Sequence, residues 1–333
     1  MRSLKAAFLF LLISISFNFE LISQQVEDLG YFGDIVNFHF IDSSSVAIVS
    51  NNFENHVSVY SLNTKTITKQ YIPVGRGPGE ALSIESSAYS ENKLYLKEPN
   101  GQISTIDLLT HEISEKFALS FQSNFMTTDA DNLVLGSKFI VNPNYIDRYN
   151  EPIKVGHILD KETLAIKNTI LFDLRKLKLS SIRNINQIES FLINAFIQPV
   201  STNEYFLTFE GFNKIFLIDS TSVVNELKIS LPNIFPLSIV KHASYGHGVK
   251  SPASFSNFFT YNISSEVNIA FSYGNKIQSI PYGYAVYQPH LKNFSYNYIE
   301  FDPEIIDGTY SFKKYKNLIL GHEKGFGNLY KFN

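Results

Sequence analysis

Residues 93–108 read KLYLKEPNGQISTIDL, and this stretch decides the predicted fold. Apolar and polar residues alternate in both halves, which is the period of a β-strand with one face turned towards a core. Asn100-Gly101 separates the two halves, and this dipeptide favours a tight hairpin turn because both residues tolerate positive φ. The stretch therefore predicts an antiparallel hairpin whose second strand ends at Asp107.

The same unit recurs along the chain as a short apolar strand, a turn bearing Gly or Asn, and an alternating strand that ends near Asp or Ser. Copies lie at residues 45–62, 93–108, 132–161, 204–220, 282–301 and 317–332. Degenerate repeats of this length favour an all-β fold, a six-bladed β-propeller of four-stranded antiparallel blades closed by pairing of the N- and C-terminal strands. A strand near residues 34–41 is predicted to complete the last blade. A pair of β-sandwiches and an irregular β-solenoid are the alternatives, and both explain six hairpin-centred copies less simply.

Two stretches interrupt this pattern and are predicted to be insertions. Residues 173–194 lack strand alternation and have apolar residues at helical spacing. Residues 241–257 are rich in Gly, Ser and Pro, which predicts a long loop. Long loops on a rigid scaffold often carry function.

The N-terminus predicts export. Residues 1–23 combine Arg2 and Lys5 with an apolar stretch from Ala6 to Phe17, which is too short to span a bilayer and fits a cleaved signal peptide. An apolar first strand or helix of the mature domain is the alternative. No later stretch is apolar and long enough to cross a membrane, so residues 24–333 are expected to form one propeller domain. The expected location is periplasmic, cell-surface or extracellular.

Composition excludes several kinds of chemistry. The chain has 333 residues, a formal net charge of −3 and no basic block, which argues against nucleic acid as a partner. Cysteine is absent, so disulfides, thiol nucleophiles and iron–sulfur clusters are excluded. No phosphate-binding glycine loop and no G-x-S-x-G nucleophile motif occurs. We expect a monomer.

Residues 74–80, VGRGPGE, are the most distinctive phrase in the chain. The phrase resembles the G-x-G-P-G-E motif of the exported six-bladed NHL/TolB-like propellers of Bacteroidetes-type bacteria, and the blade phrases and the N-terminus match that pattern as well. The phrase is shorter here than in that family. The resemblance implies the architecture but no chemistry, because most members of the family have no established activity.

Five residues are candidates for ligand binding. In the VGRGPGE turn, Arg76 and Glu80 either face a ligand at the propeller mouth or form a salt bridge that locks a connection between blades. In the predicted loop KHASYGHG, His242, Tyr245 and His247 lie close together. His56, His111, His157, His290 and His322 are scattered among hairpins and loops, where residues from different blades can converge on a metal such as calcium or zinc. Local hydrogen bonding is the commoner role for such histidines, and turn capping is the commoner role for Asp129 and Asp131.

The leading hypothesis is therefore a binding or interaction module, without enzymatic activity and without a cofactor, that presents loops to a protein, peptide or glycan. The residues 254–262, SFSNFFTYN, either form an aromatic stacking platform or are buried between blades. The alternative function is a metal-assisted lyase or hydrolase with its site at the propeller axis.

Overall fold

The computed structural model describes residues 26–332 except 52–53, 115, 143–150, 179–189, 202–203, 210–211, 213, 220–222, 228–237, 243–245, 251–252, 255–266, 274–281, 289–292, 300–309, 317 and 324–326. This described part is all-β, as predicted, with 26 strands and one short 3-10 helix. The predicted signal peptide at residues 1–23 and the aromatic stretch 255–262 lie outside the described residues.

The first sheet is an antiparallel meander of four strands that follow one another in the chain. The strands are Asp34–Phe40 (β2), Ser45–Asn51 (β3), Asn55–Ser61 (β4) and Thr66–Pro73 (β5). β3 is buried along most of its length, whereas β5 is exposed along most of its length. β5 is therefore an edge strand that faces solvent.

The second sheet contains the hairpin that the sequence predicts most clearly. Its strands are Ser86–Ser90 (β6), Lys93–Lys97 (β7), Gln102–Asp107 (β8) and Phe117–Ala118 (β9). Gly101 has a φ of 84°, and the Asn100 side chain accepts a hydrogen bond from the Gln102 N–H at 3.0 Å. The hairpin turn at Asn100-Gly101 is thus confirmed.

Both faces of the second sheet are buried against neighbouring sheets. Leu94 and Leu96 share a core cluster with Val49 of the first sheet. Tyr95, on the opposite face of β7, shares a different cluster with Met126 of the third sheet. Strands that are buried on both faces read as near-continuous apolar runs, and stacked four-stranded sheets are the arrangement that the predicted propeller requires.

The third and fourth sheets, of four strands each, are joined into one sheet, which two further strands described below extend to ten. The third consists of Ser123–Thr128 (β10), Asn132–Val141 (β11), Ile153–Asp160 (β12) and Ile166–Phe172 (β13); the fourth consists of Phe191–Ser201 (β14), Glu204–Phe209 (β15), Ile215–Asp219 (β16) and Val223–Leu227 (β17). The first half of β11 pairs with β12 and its second half pairs with the start of β14. These two long strands therefore connect sheets that would otherwise only stack.

Both predicted insertions differ in part from the expected local structure. In the described part of residues 173–194, which leaves out 179–189, the helical segment is the 3-10 helix Leu174–Leu177, and β14 begins at Phe191. The predicted loop at 241–257 contains most of a hairpin of Ser238–His242 (β18) and Gly246–Lys250 (β19). β19 pairs with the start of β14 in parallel, at Leu192 and Gly248. The backbone hydrogen bonds of this pairing outweigh the low strand propensity of Gly and Ser.

Two further sheets complete the described part. One consists of Ala253–Ser254 (β20), Val267–Tyr273 (β21), Tyr282–Gln288 (β22) and Asn293–Ile299 (β23); the other consists of Tyr310–Tyr315 (β24), Leu318–Glu323 (β25), Asn328–Phe332 (β26) and Val26–Tyr31 (β1). β1 pairs with β26 from Val26↔Phe332 to Tyr31↔Asn328. The strand that joins the C-terminal sheet is thus β1. The prediction of residues 34–41 for that role is wrong, because β2 begins the first sheet.

The strands β2, β6, β10, β14 and β24 lie beside one another, and we call them the inner strands. Side chains link them to neighbouring backbones. The Asn37 amide donates to the Ser87 carbonyl at 3.1 Å, and the Thr128 hydroxyl donates to the Tyr89 carbonyl at 3.0 Å. Lys313 donates to the Phe38 carbonyl. These bonds hold the inner strands in a fixed arrangement around the space that they share.

Candidate functional site

The inner strands enclose a cavity of about 210 Å³, which we call the inner cavity. Its polar lining residues are Asn37, His39, Ser87, Thr127, Thr128, Gln198 and Lys313. Its larger apolar and aromatic lining residues are Phe40, Tyr89, Phe125, Met126 and Tyr315. Most of these residues lie in the second halves of their strands, so the cavity lies towards the C-terminal ends of β2, β10 and β24. No described residue that lines the cavity is Asp or Glu.

Hydrogen bonds hold three of the polar side chains of the inner cavity in place. Asn37 and His39 are two residues apart on β2 and therefore face the same side of the strand. His39 Nε2 lies 2.8 Å from the Ser87 hydroxyl, and the Asn37 amide bonds the carbonyl of the same serine. Both side chains on β2 are thus held by one residue of β6. A site positioned in this way on strands is more rigid than one on loops.

Lys313 is the basic residue of greatest interest in the inner cavity. Its ammonium nitrogen bonds the Phe38 carbonyl and lies 5.2 Å from the centroid of the Phe38 ring. Burial holds the pKa of Lys313 well below its ordinary value. Burial, and then the charge of Lys313, lowers the pKa of His39 well below its ordinary value. Two neighbouring basic groups are therefore held where burial makes the charged form of each less favourable than in water.

Aromatic rings also line the inner cavity, next to its polar groups. Phe40 stacks on Tyr315 with ring centroids 5.4 Å apart, and Lys316 lies 5.4 Å from the centre of the Tyr315 ring. The Tyr89 ring lies 6.2 Å from the His39 ring, and burial raises the pKa of the Tyr89 hydroxyl. The cavity thus combines a few hydrogen-bonding groups with flat apolar surfaces, which is the usual composition of a small-ligand site.

The VGRGPGE turn lies away from the inner cavity and is held by Glu80. The Glu80 carboxylate accepts a hydrogen bond from the Gly77 N–H at 2.6 Å. A Cβ on Gly75 would lie 2.0 Å from the same carboxylate oxygen, so only glycine leaves room for it. Arg76 is exposed, and within the described residues it has no hydrogen bond or ion pair. Glu80 therefore stabilises the turn itself and does not bridge to Arg76.

Two neighbours anchor this turn to the first and second sheets. Lys116 donates to the Glu80 carbonyl at 2.6 Å and forms an ion pair with Glu98. Buried His56 lies 2.9 Å from the Ala81 carbonyl through Nε2 and 3.0 Å from the Ser50 carbonyl through Nδ1. The structure thus gives His56 a local role. Ligand binding by Arg76 remains a prediction.

The candidates His242, Tyr245 and His247 lie in or next to the β18–β19 hairpin. His242 is the last residue of β18, and His247 is the second residue of β19. The register pairs His242 with Gly246 and His247 with Lys241, so the two histidines are not cross-strand partners. Tyr245 lies outside the described residues. Ligand or metal binding by these residues remains a prediction.

Other predicted candidates have local roles where the structure describes them. Asp129 accepts the N–H groups of Asp131 and Asn132 at 2.8 Å and 2.7 Å, which confirms the turn-capping prediction. Buried His157 stacks on Phe121 with ring centroids 3.8 Å apart. Among the described residues, three or more His, Asp or Glu side chains do not converge in a group able to hold a metal ion. None of the described helices has the length and apolar character of a membrane span.

His39 and Lys313 were not among the predicted site residues. The signal that could have found them is polar residues at alternate positions of a strand: Asn37 and His39 in DIVNFHF, and Ser311 and Lys313 in YSFKKY. Neither strand lies in the hairpin copies that revealed the repeat. Only the three-dimensional arrangement brings their polar faces together.

Comparison with known proteins identifies the fold. No protein-family model and no curated protein matches the chain. The β-propeller domain of Cps50 (Swd1) from Myceliophthora thermophila is similar at a TM-score of 0.50 and 9% sequence identity, covering 93% of this chain and 99% of that one. The WD40 β-propeller domain of Doa1 has a TM-score of 0.46 and 12% identity, over 94% and 98%. The Neurospora crassa Pan2 WD40 domain has a TM-score of 0.43 and 11% identity, over 90% and 74%. The stacked four-stranded sheets and the likeness to the first of these domains together show that the chain has a β-propeller fold.

Proposed function

We propose that this propeller is a binding module that holds part of its ligand in the inner cavity. The observation that carries the proposal is the convergence of five inner strands on one cavity that is lined by both hydrogen-bonding groups and aromatic rings. Sites of this composition orient a ligand through a few polar groups and gain affinity from apolar contact. Propellers commonly enclose such a channel at the axis of the ring.

The size of the inner cavity favours a terminal group over a whole ligand. Its volume of about 210 Å³ is smaller than the roughly 300–1,000 Å³ of sites that enclose a drug-sized molecule. We therefore infer that the ligand is a protein, peptide or glycan whose end enters the cavity while the surrounding loops contact the rest. Binding of this kind needs no cofactor.

The proposal has finer features as well, and these combine the sequence pattern with the order of the strands. We propose six blades, formed by the sheets that begin at β2, β6, β10, β14, β20 and β24, with β1 and β26 pairing at the join. We also propose an exported monomer, related to the NHL/TolB-like propellers through VGRGPGE and directed outside the cytoplasm by residues 1–23. The metal-assisted lyase or hydrolase has no observation among the described residues in its favour, so the binding module is preferred.

A cavity-filling substitution tests the site. Thr127 lines the cavity and is partly buried, so Thr127→Trp is expected to block it, and Thr66→Trp on exposed β5 is the matched control. Epitope-tagged wild-type protein should bind a subset of features on peptide and glycan arrays. Thr127→Trp should lose that binding, and Thr66→Trp should keep it, with circular dichroism confirming that both are folded. Binding retained by folded Thr127→Trp, or no binding by the wild type, would contradict the proposal.

A further inference from the structure

The inner cavity is a poor match for a positively charged ligand group. Its described lining contains no Asp or Glu side chain, and two of its polar residues, His39 and Lys313, are basic. A cation that leaves water for such a site is strongly disfavoured unless an opposite charge lies close to it. The described lining therefore argues against a free amine and against the side chain of a lysine or an arginine.

The two basic residues do not favour an anion either, because both are already engaged. Lys313 bonds the Phe38 carbonyl and lies over the Phe38 ring, and burial holds its pKa well below the ordinary value. His39 Nε2 lies 2.8 Å from the Ser87 hydroxyl, and burial, followed by the charge of Lys313, holds its pKa well below the ordinary value. The charge of the lining thus favours a neutral ligand group.

Hydroxyl and amide groups in the lining favour a ligand that forms hydrogen bonds over one that is wholly apolar. The Thr127 hydroxyl has no hydrogen-bond partner among the described residues. The Asn37 amide gives one N–H to the Ser87 carbonyl and has a second to give, and the Ser87 hydroxyl can accept a further bond. A wholly apolar group would shield these three side chains from water without bonding them, which is unfavourable.

Aromatic side chains in the same lining favour a ligand that has flat apolar faces. Phe40, Tyr89, Phe125 and Tyr315 all line the cavity. The pyranose ring of a neutral sugar carries C–H groups on its faces and hydroxyls around its edge, and each hydroxyl is both a donor and an acceptor. Such a ring can bury aromatic surface from water while its hydroxyls bond the polar groups.

We propose that the inner cavity binds a neutral hexopyranose, the end unit of a glycan, with a ring face against the aromatic side chains and hydroxyls at Asn37, Ser87 and Thr127. This inference rests on the proposed function and chooses the glycan among its three classes of ligand. The volume of about 210 Å³ corresponds to roughly seven water molecules of about 30 Å³ each. That space suits one sugar ring, so the next unit of the glycan lies outside the cavity.

Matched sets of sugars test whether the bound group is neutral. The probes are the methyl glycosides of glucose, galactose and mannose, each beside its 2-amino analogue and its 6-carboxylate analogue. Saturation-transfer NMR with competition gives their relative affinities for the purified wild-type chain. We expect at least one neutral glycoside to bind, and its ammonium and carboxylate analogues to bind at least about tenfold more weakly.

Two substitutions then place the sugar in the inner cavity. Thr127→Val removes the hydroxyl and nearly keeps the shape, so it should weaken the neutral glycoside about three- to tenfold, the worth of one hydrogen bond. Phe125→Leu removes a flat surface and should weaken it by a similar factor. Thr66→Val on exposed β5 and Phe117→Leu at an exposed position of β9 are the matched controls and should leave binding unchanged.

The outcomes separate this inference from the proposed function. Absence of binding by every neutral glycoside overturns the sugar inference, and so does an ammonium or carboxylate analogue that binds as tightly as its neutral parent. Binding that neither Thr127→Val nor Phe125→Leu weakens also overturns it, because the sugar then lies elsewhere. The arrays with Thr127→Trp decide the proposed function independently: peptide features that the wild type binds and Thr127→Trp loses would uphold the inner cavity as a binding site without a sugar.

Discussion

Glu80 and Gly75 show how two residues can form one structural unit. The carboxylate of Glu80 occupies the space in which a side chain at position 75 would lie, and from there it accepts the N–H of Gly77. The motif therefore needs a glycine at 75 for space and an acid at 80 for the bond. The turn also favours glycine at position 79, but for a different reason. Gly79 has a φ of 76°, which residues with a Cβ adopt only at an energetic cost.

We predict that Gly75→Ala and Glu80→Ala each lower the free energy of unfolding by about 1–2 kcal/mol, since each breaks the same charge-assisted hydrogen bond. The double variant should be no less stable than Glu80→Ala alone, because the new methyl group then meets no carboxylate. Gly79→Ala is the control and should add its cost independently of Glu80. Urea unfolding of the three single variants and of the two double variants, Glu80→Ala with Gly75→Ala and Glu80→Ala with Gly79→Ala, gives the two coupling energies. Strict additivity of Gly75→Ala with Glu80→Ala would contradict this explanation.

At the level of residues, the sequence could predict the VGRGPGE turn but not the partner of each side chain in it. Three glycines and a proline indicate a turn wherever they lie. Whether Glu80 pairs with Arg76 or bonds the backbone depends on distances of a few ångströms, which spacing does not encode. The same holds for His39 and Lys313, whose nearest contacts come from strands that are far apart in the chain.

The same turn follows the third strand of each of the first three sheets, β4, β8 and β12. In each copy the first residue caps a backbone N–H with its side-chain oxygen, and its carbonyl accepts the N–H of the residue four places later, which has positive φ. The copies are Ser61 to Lys65, Asp107 to His111 and Asp160 to Leu164. This shared turn explains why the repeat was visible in the sequence as strands ending near Asp or Ser.

We predict that the two aspartate turns make the fold sensitive to acid. Backbone N–H groups, led by Thr110, lower the pKa of Asp107, and Thr163 followed by Lys167 lowers the pKa of Asp160. A lowered folded-state pKa gives stability that is present above the unfolded value of about 3.9 and is lost as the pH falls through the folded value. Asp107→Asn with Asp160→Asn should therefore flatten the loss of stability as the pH falls below about 4.

The measurement is the urea midpoint at several pH values, with exposed Glu112→Gln as the control for removing a nearby carboxylate. Asparagine retains an acceptor oxygen for the turn, so the fold at neutral pH should be little changed. If the double variant and the control have the same acid profile as the wild type, the aspartate turns do not cause the acid sensitivity.

The junction of the third and fourth sheets depends on a pair of glycines. Gly136 of β11 lies opposite Gly156 of β12, at the point where β11 leaves β12 for β14. A Cβ on Gly136 would lie 2.0 Å from the Ala195 carbonyl oxygen, and one on Gly156 would lie 2.1 Å from the end of the Ile197 side chain. The backbone of β14 thus packs directly on a surface without side chains.

We predict that Gly136→Ala lowers the free energy of unfolding by about 3 kcal/mol, because the atom it meets belongs to the backbone and cannot turn aside. Gly101→Ala is the control, since its nearest neighbour is 3.7 Å away and its φ of 84° alone should cost about 1 kcal/mol. Thermal or urea unfolding distinguishes the two. An equal loss in both variants would mean that steric contact with β14 is not the cause.

At the scale of the whole molecule, the stacking of four-stranded sheets could be predicted from the sequence. The N-terminal strand that joins the C-terminal sheet could not. Alternation and turns are local, so the hairpin at Asn100-Gly101 is recoverable from sequence. The strand Val26–Tyr31 has few apolar residues and pairs with residues about 300 positions later. The sequence pattern favoured the more strongly alternating residues 34–41 for that reason. The joining of the third and fourth sheets through β11 and β14 likewise leaves no periodic signal.

The pairing of β1 with β26 can be tested by a covalent link, and the absence of native cysteine makes the test clean. Glu27 and Lys331 are register partners whose side chains form an ion pair at 3.7 Å, and cross-strand partners lie within the Cα separation that a disulfide spans. We predict that Glu27→Cys with Lys331→Cys forms a disulfide that raises the free energy of unfolding by about 2–4 kcal/mol, since it closes a loop of nearly the whole chain.

The comparison is between the oxidised and reduced forms of the same double variant, so that loss of the ion pair affects both equally. The single variant Glu27→Cys, which cannot form the link, should unfold with the reduced form. Because β1 is the only described strand that pairs along the open side of β26, a link that forms readily and stabilises the chain means that both termini belong to one cooperative unit. An oxidised form that is no more stable than the reduced one would show that β1 separates from β26 before the rest of the propeller unfolds.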